Sequence, residues 1–369
     1  MIHSLATTLW SHIAQTEKII VFLVMISTLI VLHEYGHFSI ARRMGVKIQD
    51  FALGIGPTIL KWTSPRSGTH YRLNLLPIGG YCAMKGESEK NIDDTELQKT
   101  TNNQSDSYAA KKPVQRLAIV VAGPLMNFIL AFALFMASYS IFGRPAPTTT
   151  LGHIVPGLPA AMAGLKENDQ ITKINNIIVD GPTMVETIHR ATNKTLQITY
   201  HRGEDTKTAE LTPIASPNGI GRIGFIITSK MQPLPLDKGV AESLQMVGSV
   251  WTDTMSSLTG LFTTPTKTAA HLQGIIGIAS ISGQVQDAGW GPYLSFAAII
   301  SASLGIFNLL PIPALDGGRA LFILLEILRG QPIDPKKEAY VHAGGMIALL
   351  VLMLAVSYHD IINLVSGKN

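Results

Sequence analysis

Apolar residues are distributed unevenly along this chain. They divide it into membrane-length stretches and a region of ordinary soluble patterning. Four stretches, about 19–41, 117–142, 293–328 and 341–365, are apolar enough to form transmembrane helices. At about 1.5 Å per residue, each is long enough to cross a hydrocarbon core of about 30 Å. The second stops at Gly143-Arg144-Pro145-Ala146-Pro147, and the third is interrupted by Pro311 and Pro313. Between 149 and 230 the pattern changes to short β-rich runs near 151–155, 171–174, 196–200 and 223–227. One helical stretch near 183–191 lies among them. From 240 to 262, Val240, Leu244, Val247, Trp251, Met255, Leu258 and Phe262 recur at intervals of three and four, opposite Glu242, Gln245 and Asp253. That spacing predicts an amphipathic helix, either on the membrane surface or packed under the soluble domain. The expected architecture is a polytopic α-helical membrane protein of four spans with an inserted α/β domain. Its segments are 1–148, 149–230, 231–292 and 293–369.

Charge sets the expected sidedness. Arg42 and Arg43 follow the first span, and Lys111, Lys112 and Arg116 precede the second. Arg329, Lys336 and Lys337 separate the third from the fourth. By the positive-inside rule these loops are cytoplasmic, so both termini and residues 143–292 are expected outside. Residues 1–18 lack a basic leader region, so the first apolar segment is expected to be retained. The chain has 369 residues, 46% hydrophobic and 15% charged, which agrees with a mixed membrane and soluble protein. A net charge of +4, spread without a basic stripe, argues against nucleic acid as a partner. The single cysteine, Cys82, excludes an intrachain disulfide and a cysteine-rich zinc site.

The chemistry starts inside the first span. His33, Glu34 and His37 form an H-E-x-x-H pattern within the apolar run. Ionisable groups at that depth are functional suspects by default. Histidines four apart share one helix face and can hold one Zn²⁺, while the intervening Glu reaches the water that such an ion activates. The alternative is a pair of helix histidines satisfied by neighbours. A catalytic zinc needs a third protein ligand. Asp316 offers one, in Asn308-Leu309-Leu310-Pro311-Ile312-Pro313-Ala314-Leu315-Asp316-Gly317-Gly318. The two prolines free backbone groups at membrane depth, which is tolerated where they line a polar cavity. Asp316 has a competing reading as the N-cap of the helix that follows.

Depth is consistent with one site. His33 lies roughly 22 Å from the outer surface, and Asn127 lies about 11 residues into the second span from the other side. Asn127 follows Ala122-Gly123-Pro124-Leu125-Met126, where small residues permit close helix contact. It is placed to bond a ligand residue or substrate backbone, or to make a plain helix–helix contact.

These motifs, in this order, resemble the site-2 protease family of intramembrane zinc metalloproteases. The segment 156–171, beginning Pro-Gly-Leu-Pro-Ala-Ala-Met-Ala-Gly-Leu, resembles a PDZ domain of the bacterial protease type. Its insertion after the second span narrows the likeness to bacterial regulators of sigma-E protease, here with a single PDZ domain. The resemblance implies one Zn²⁺ per chain on His33, His37 and Asp316, with Glu34 as catalytic acid/base. Gly54-Ile55-Gly56-Pro57 resembles the family's G-x-G segment. Leu76-Pro77-Ile78-Gly79-Gly80-Tyr81 resembles its cytoplasmic-side re-entrant β-loop. Substrate contacts are expected at Gly79, Gly80, Tyr81, Asn127, Asn308, Pro311 and Pro313; the loop has the alternative role of closing the cavity. Implied substrates are transmembrane segments of single-span proteins, such as pre-trimmed anti-sigma factors or signal-peptide remnants. The PDZ domain is expected to take a peptide or protein C-terminus and to gate substrates. The implied setting is the bilayer of a bacterial inner (plasma) membrane, with the PDZ domain extracytoplasmic and the active site towards the cytoplasm. Ile275 stands where the family's G-P-I-G-I-like segment usually has proline, and tandem PDZ domains are common where this chain has room for one.

Two readings from other classes remain at this stage. A zinc transporter would need a polar path through both leaflets, whereas the polar residues here cluster on one side. A catalytically silent PDZ scaffold would need neither Glu34 nor a third ligand.

Overall fold

A computed structural model describes residues 2–87, 105–216, 220–264 and 274–366. The chain forms two compact units, 1–138 with 237–369, and 139–236. In the first unit, α1 (Ile2–Arg43) leads into β1 (Ile48–Thr63) and β2 (His70–Met84), and α2 spans Pro113–Ala137. After the inserted unit come α5 (Leu236–Thr263), α6 (Ile275–Asp287), α7 (Trp290–Leu309), α8 (Asp316–Arg329) and α9 (Pro335–Ser366). Among the described residues, four helical stretches have membrane-crossing length and composition: Gln15–Arg43, Pro113–Phe142, Trp290–Leu309 and Pro335–Ile362. The third apolar stretch thus divides. Pro311 and Pro313 cannot continue a helix, so α7 ends at Leu309 and α8 restarts at Asp316.

Small residues set the packing of this unit. Ala298, Ser301, Ala302 and Gly305 form a stripe on α7, and it meets α2 at the Pro124 carbonyl and Asn127. Ser301 Oγ donates to the Asn127 carbonyl at 2.9 Å. Gly36 of α1 lies against the Ala122 carbonyl and Gly123 Cα, leaving no room for a side chain. In contrast, α9 carries exposed Met346, Leu350, Val351 and Leu354, as suits a lipid-facing helix. The predicted apolar face of α5 is also exposed, at Val240, Leu244 and Trp251, while Ser243 and Val250 are buried. The Phe262 side chain lies outside the described residues.

The β1–β2 pair bends into a four-segment sheet. Segment 48–53 pairs with 70–73 on one side (Asp50 with His70) and with 80–84 on the other (Leu53 with Gly80). Segment 58–63 pairs with 70–74, from Thr63 with His70 to Thr58 with Asn74. Left-handed backbone at Gly54, Gly56 and Gly79 makes these bends. Asn74 is buried and ties the bend together, donating to the Gly54 carbonyl and accepting from Thr58 Oγ1, each at 2.9 Å. Phe38 of α1 packs edge-on to Phe51, with ring centroids 5.2 Å apart, and so seats the sheet on the first helix.

The inserted unit contains β3 (Arg144–Ile154), α3 (Pro159–Met162), β4 (Gln170–Ile174), β5 (Ile177–Ile178), α4 (Gly181–Arg190), β6 (Leu196–Arg202), β7 (Asp205–Leu211), β8 (Ile214–Ala215), β9 (Gly221–Arg222) and β10 (Phe225–Gln232). Its main sheet runs β10-β3-β4-β6-β7, with β5 paired to β4. Leu151, Ile171, Met184 and Ile198 are fully enclosed in its core. The Pro-rich segment at 144–147, read from sequence as a helix stop, begins β3 and pairs with 229–232. Strand β7 went unpredicted because it is mostly polar, as an outer strand with solvent on one face can be.

One buried acid anchors this unit. Asp169, 1% exposed, accepts from Arg202 Nε and Nη2 at 2.8 and 2.7 Å, and from the Lys166 N–H at 2.8 Å. Burial opposes its ionisation, but the Arg202 and Lys166 bonds outweigh it and hold the carboxyl below its usual range. A depressed carboxyl contributes stability above the unfolded value of about 3.9, and that contribution disappears as pH falls through the folded value. Asp169→Asn is therefore expected to destabilise residues 139–236 by roughly 2–3 kcal/mol at neutral pH in urea unfolding. The gap to wild type should narrow below about pH 4.

Candidate metal centre

Three donors from two distant parts of the chain converge at one point. His33 and His37 lie one turn apart on α1, and Asp316 is the first residue of α8. His33 Nε2 and His37 Nε2 are 3.2 Å apart, and they stand 3.1 and 3.3 Å from Asp316 Oδ2. Both histidines are buried and the Asp316 side chain is 18% exposed. The N-cap position of α8 belongs to Leu315, so the Asp316 carboxylate is directed to the imidazoles instead of capping its helix.

The partners of the outer nitrogens define the charge problem. His37 Nδ1 lies 2.8 Å from the Ile119 carbonyl, which can only accept, so Nδ1 carries the proton. In the neutral ring Nε2 then presents a lone pair to the other donors. His33 Nδ1 lies 3.1 Å from the Asn127 side-chain amide, and Asn127 is fully buried. The amide atom facing His33 is Nδ2, a donor; with the amide turned over, its buried oxygen, which otherwise has no partner, would accept the Nδ1 proton and leave Nε2 free in the same way. Among the described residues, Asp316 Oδ2 is buried without a hydrogen bond. A cation between them would satisfy both ring nitrogens and the carboxylate oxygen at this separation.

The donor set fits zinc. Ligand atoms about 2.0–2.1 Å from a tetrahedral ion stand about 3.3 Å from one another, close to the separations seen here. Two imidazoles and one carboxylate leave a fourth position open, the arrangement of a catalytic site. His33, His37 and Asp316 form a three-residue group in which every donor atom lies within 4.8 Å of the others.

The surrounding glycines shape this cluster. A Cβ on Gly123 would strike the His37 ring, and Cβ atoms on Gly317 and Gly318 would strike the carbonyls of 309–312. Bare backbone at these positions lets the helices close on the site. Gly80 is equally tight, because a Cβ there would lie 2.8 Å from the Ala52 carbonyl and 3.7 Å from Glu34 Cγ. The outer segment of β2 therefore runs beside Glu34 with no side chain between them. Gly79 makes the preceding bend, and Tyr81 pairs with Ala52 while remaining 38% exposed. Asn308 sits on the last turn of α7, and Pro311 and Pro313 shape the 310–315 turn that delivers Asp316.

Sequence reasoning missed two supports of that turn. Ala314 is left-handed, with φ of 76°, a costly conformation for a residue with a Cβ. Its N–H donates to His342 Nδ1 of α9 at 2.8 Å, while Gly345 packs on Pro313. The only available signal was a histidine in the fourth apolar stretch. Both Gly123→Ala and Asn127→Leu are expected to weaken zinc binding by about 10–100-fold, read by competition with a chelator. Zinc affinity matching wild type would contradict the site as built.

The chain is similar to known proteins over most of its length. The model of peptidase family M50 matches residues 21–352. The regulator of sigma-W protease RasP of Bacillus subtilis is 30% identical, covering 94% of this chain and 98% of that protein. The zinc metalloprotease RasP of Bacillus licheniformis is 31% identical over 94% of this chain and 99% of its own. Among solved structures, the PDZ domain of an SdrC-like protein from Listeria monocytogenes aligns over 22% of this chain and 87% of that one. Its identity is 21% and its TM-score 0.21. With family membership shown over most of the chain, this protein belongs to peptidase family M50, the site-2 proteases, and is a multi-pass membrane zinc metalloendopeptidase.

Proposed function

We propose that this chain holds one Zn²⁺ on His33, His37 and Asp316 and uses Glu34 to hydrolyse peptide bonds within transmembrane segments of single-span proteins. The observation that carries this reading is the meeting of three donors, Glu34 and a bare strand edge at Gly80. Zinc, when bound, supplies Lewis acidity that polarises a peptide carbonyl and eases the deprotonation of water. Glu34, next to His33 on the same helix, accepts the proton from the attacking water and returns it to the leaving amine. A helical substrate hides its carbonyls in hydrogen bonds, so it must be extended before attack. Segment 80–84 has one sheet partner and offers its other edge for strand addition beside Glu34. The exposed Ile55, Ile59, Leu60, Leu75 and Leu76 of the same sheet suit contact with lipid, in keeping with a re-entrant element. Asn308 and the 311–313 turn are the other proposed holders of the extended strand.

The inserted domain serves substrate choice. Its sheet ends at β10, whose outer edge borders a groove of about 240 Å³ lined by Val155, Val185, Ile188, His189, Phe225 and Ile227. A free edge with an apolar groove takes an extended peptide or C-terminus by strand addition, as PDZ domains do. The basic clusters favour an extracytoplasmic inserted domain and an active site towards the cytoplasm, within a bacterial inner membrane. Pre-trimmed anti-sigma factors and signal-peptide remnants fit such a site.

Glu34→Gln is expected to retain zinc while cleavage of a membrane-embedded reporter falls on the order of 10²–10⁴-fold. Cleavage at the wild-type rate would contradict the assigned role. Deleting 149–230 is expected to admit untrimmed substrates that the full chain rejects. Unchanged discrimination between trimmed and untrimmed forms would count against gating.

A further inference from the structure

The end of the outer strand is tied to the helix that carries Asp316. After Met84 the chain turns, and Glu87 folds back so that its Oε2 accepts the Met84 N–H at 3.2 Å. The Glu87 N–H donates to the Met84 carbonyl at 3.2 Å. The other carboxylate oxygen, Oε1, pairs with Arg319 Nη1. Glu87 is largely buried, whereas Arg319 is about half exposed and borders a cavity of about 460 Å³ with Tyr108, Arg116, Glu326 and His342. One carboxylate thus bridges the strand beside Glu34 and the helix that begins with Asp316.

Arg319 lies three residues beyond Asp316, on the same face of α8 one turn further on. Gly317 and Gly318 lie between them, packed without side chains on the 309–312 backbone, so the first turn of α8 is closely seated. Arg116 of α2 holds the following turns through Glu326 at 2.5 Å. Asp316 and Arg319 therefore move as one body. The strand end is held by its sheet partner, by Glu87 and through Lys85, whose N–H donates to the Lys47 carbonyl and whose carbonyl accepts the Tyr108 N–H; the ion pair of Glu87 with Arg319 ties it to α8. A peptide added to 80–84 takes its register from that strand, and a slip of two residues keeps the same side chains on the same face.

We infer that Glu87 and Arg319 are positioning residues that set the register of the bound strand against the metal centre, and hence which peptide bond is cut. This rests on strand addition at 80–84, as proposed above. The pair touches neither zinc nor the reacting atoms. Its loss shows in where the substrate is cut and how fast, with metal binding intact.

The test uses the full-length, zinc-loaded protein in lipid vesicles with a single-span reporter, and reads product masses, kcat, KM and zinc content. Glu87→Gln and Arg319→Gln keep side-chain size and remove one charge each. Both are expected to retain zinc, to lower kcat on the order of tenfold, and to produce extra cuts two residues from the original bond. Glu87→Asp, which keeps a carboxylate able to accept the Met84 N–H and to pair with Arg319, should keep a single dominant cut. Arg319→Lys, which keeps the charge, should also hold the original bond. Overturning results are a single wild-type cut at wild-type kcat in both Gln variants, lost activity that tracks lost zinc, or extra cuts that persist in both charge-keeping variants. A wild-type protein that cuts no single-span reporter would overturn the proposed function and this inference with it. Wild-type cutting with unaltered products from the variants would overturn the inference alone.

Discussion

Two imidazole nitrogens and a carboxylate oxygen within 3.3 Å of one another, buried at membrane depth, form the contact around which the membrane unit is arranged. With both Nε2 atoms unprotonated, this cluster sets two lone pairs against an anion where burial limits screening by water. A cation bound there would be attracted by all three donors at once. Helices remote in sequence must then meet at a point. The glycines at 36, 123, 317 and 318 allow them to do so, each in a place where a Cβ would strike backbone or the His37 ring.

The groups around the cluster act on it through the outer ring nitrogens and through the chain that delivers Asp316. Ile119 and Asn127, both from α2, hold the outer ring nitrogens: the Ile119 carbonyl accepts from His37 Nδ1, and the Asn127 side-chain amide meets His33 Nδ1. Ser301 of α7 holds the Asn127 backbone, so the third helix reaches the site indirectly. On the other side, His342 and Gly345 of α9 brace the strained turn at Ala314. Elsewhere α9 faces outward along much of its length, and a second polar contact comes near its far end. There Asp360 accepts the N–H groups of Gly274 and Gly277 at the start of α6. A helix in lipid gains little from apolar contact with its neighbours, so a few polar contacts decide where it rests.

Much of this was legible in the sequence because it depends on local spacing. H-E-x-x-H places two imidazoles on one helix face wherever that helix goes, and the apolar runs mark the four spans. Asp316 was legible as one of two readings, ligand or cap. What separates them is the direction of its side chain, which follows from the proline-broken turn and from Leu315 taking the cap position. The supporting residues were harder to see. Ile119 contributes a backbone carbonyl, which no side-chain pattern reports. His342 matters through Ala314, and the left-handed conformation of an alanine has no composition signal. The double pairing of 48–53 was hidden for a similar reason, since register arises from bends at Gly54, Gly56 and Gly79.

A metal centre built by helix packing stands beside a strand edge at Glu34, and everything rests on the identity of its three ligands. X-ray absorption at the zinc edge of the purified full-length protein addresses that identity directly. It predicts a first shell of nitrogen and oxygen only, at about 2.0–2.1 Å, with outer-shell scattering from two imidazoles. In His33→Ala the imidazole contribution should fall by half or the metal should be lost. A shell containing sulfur, or a zinc spectrum unchanged by His33→Ala, would contradict the account.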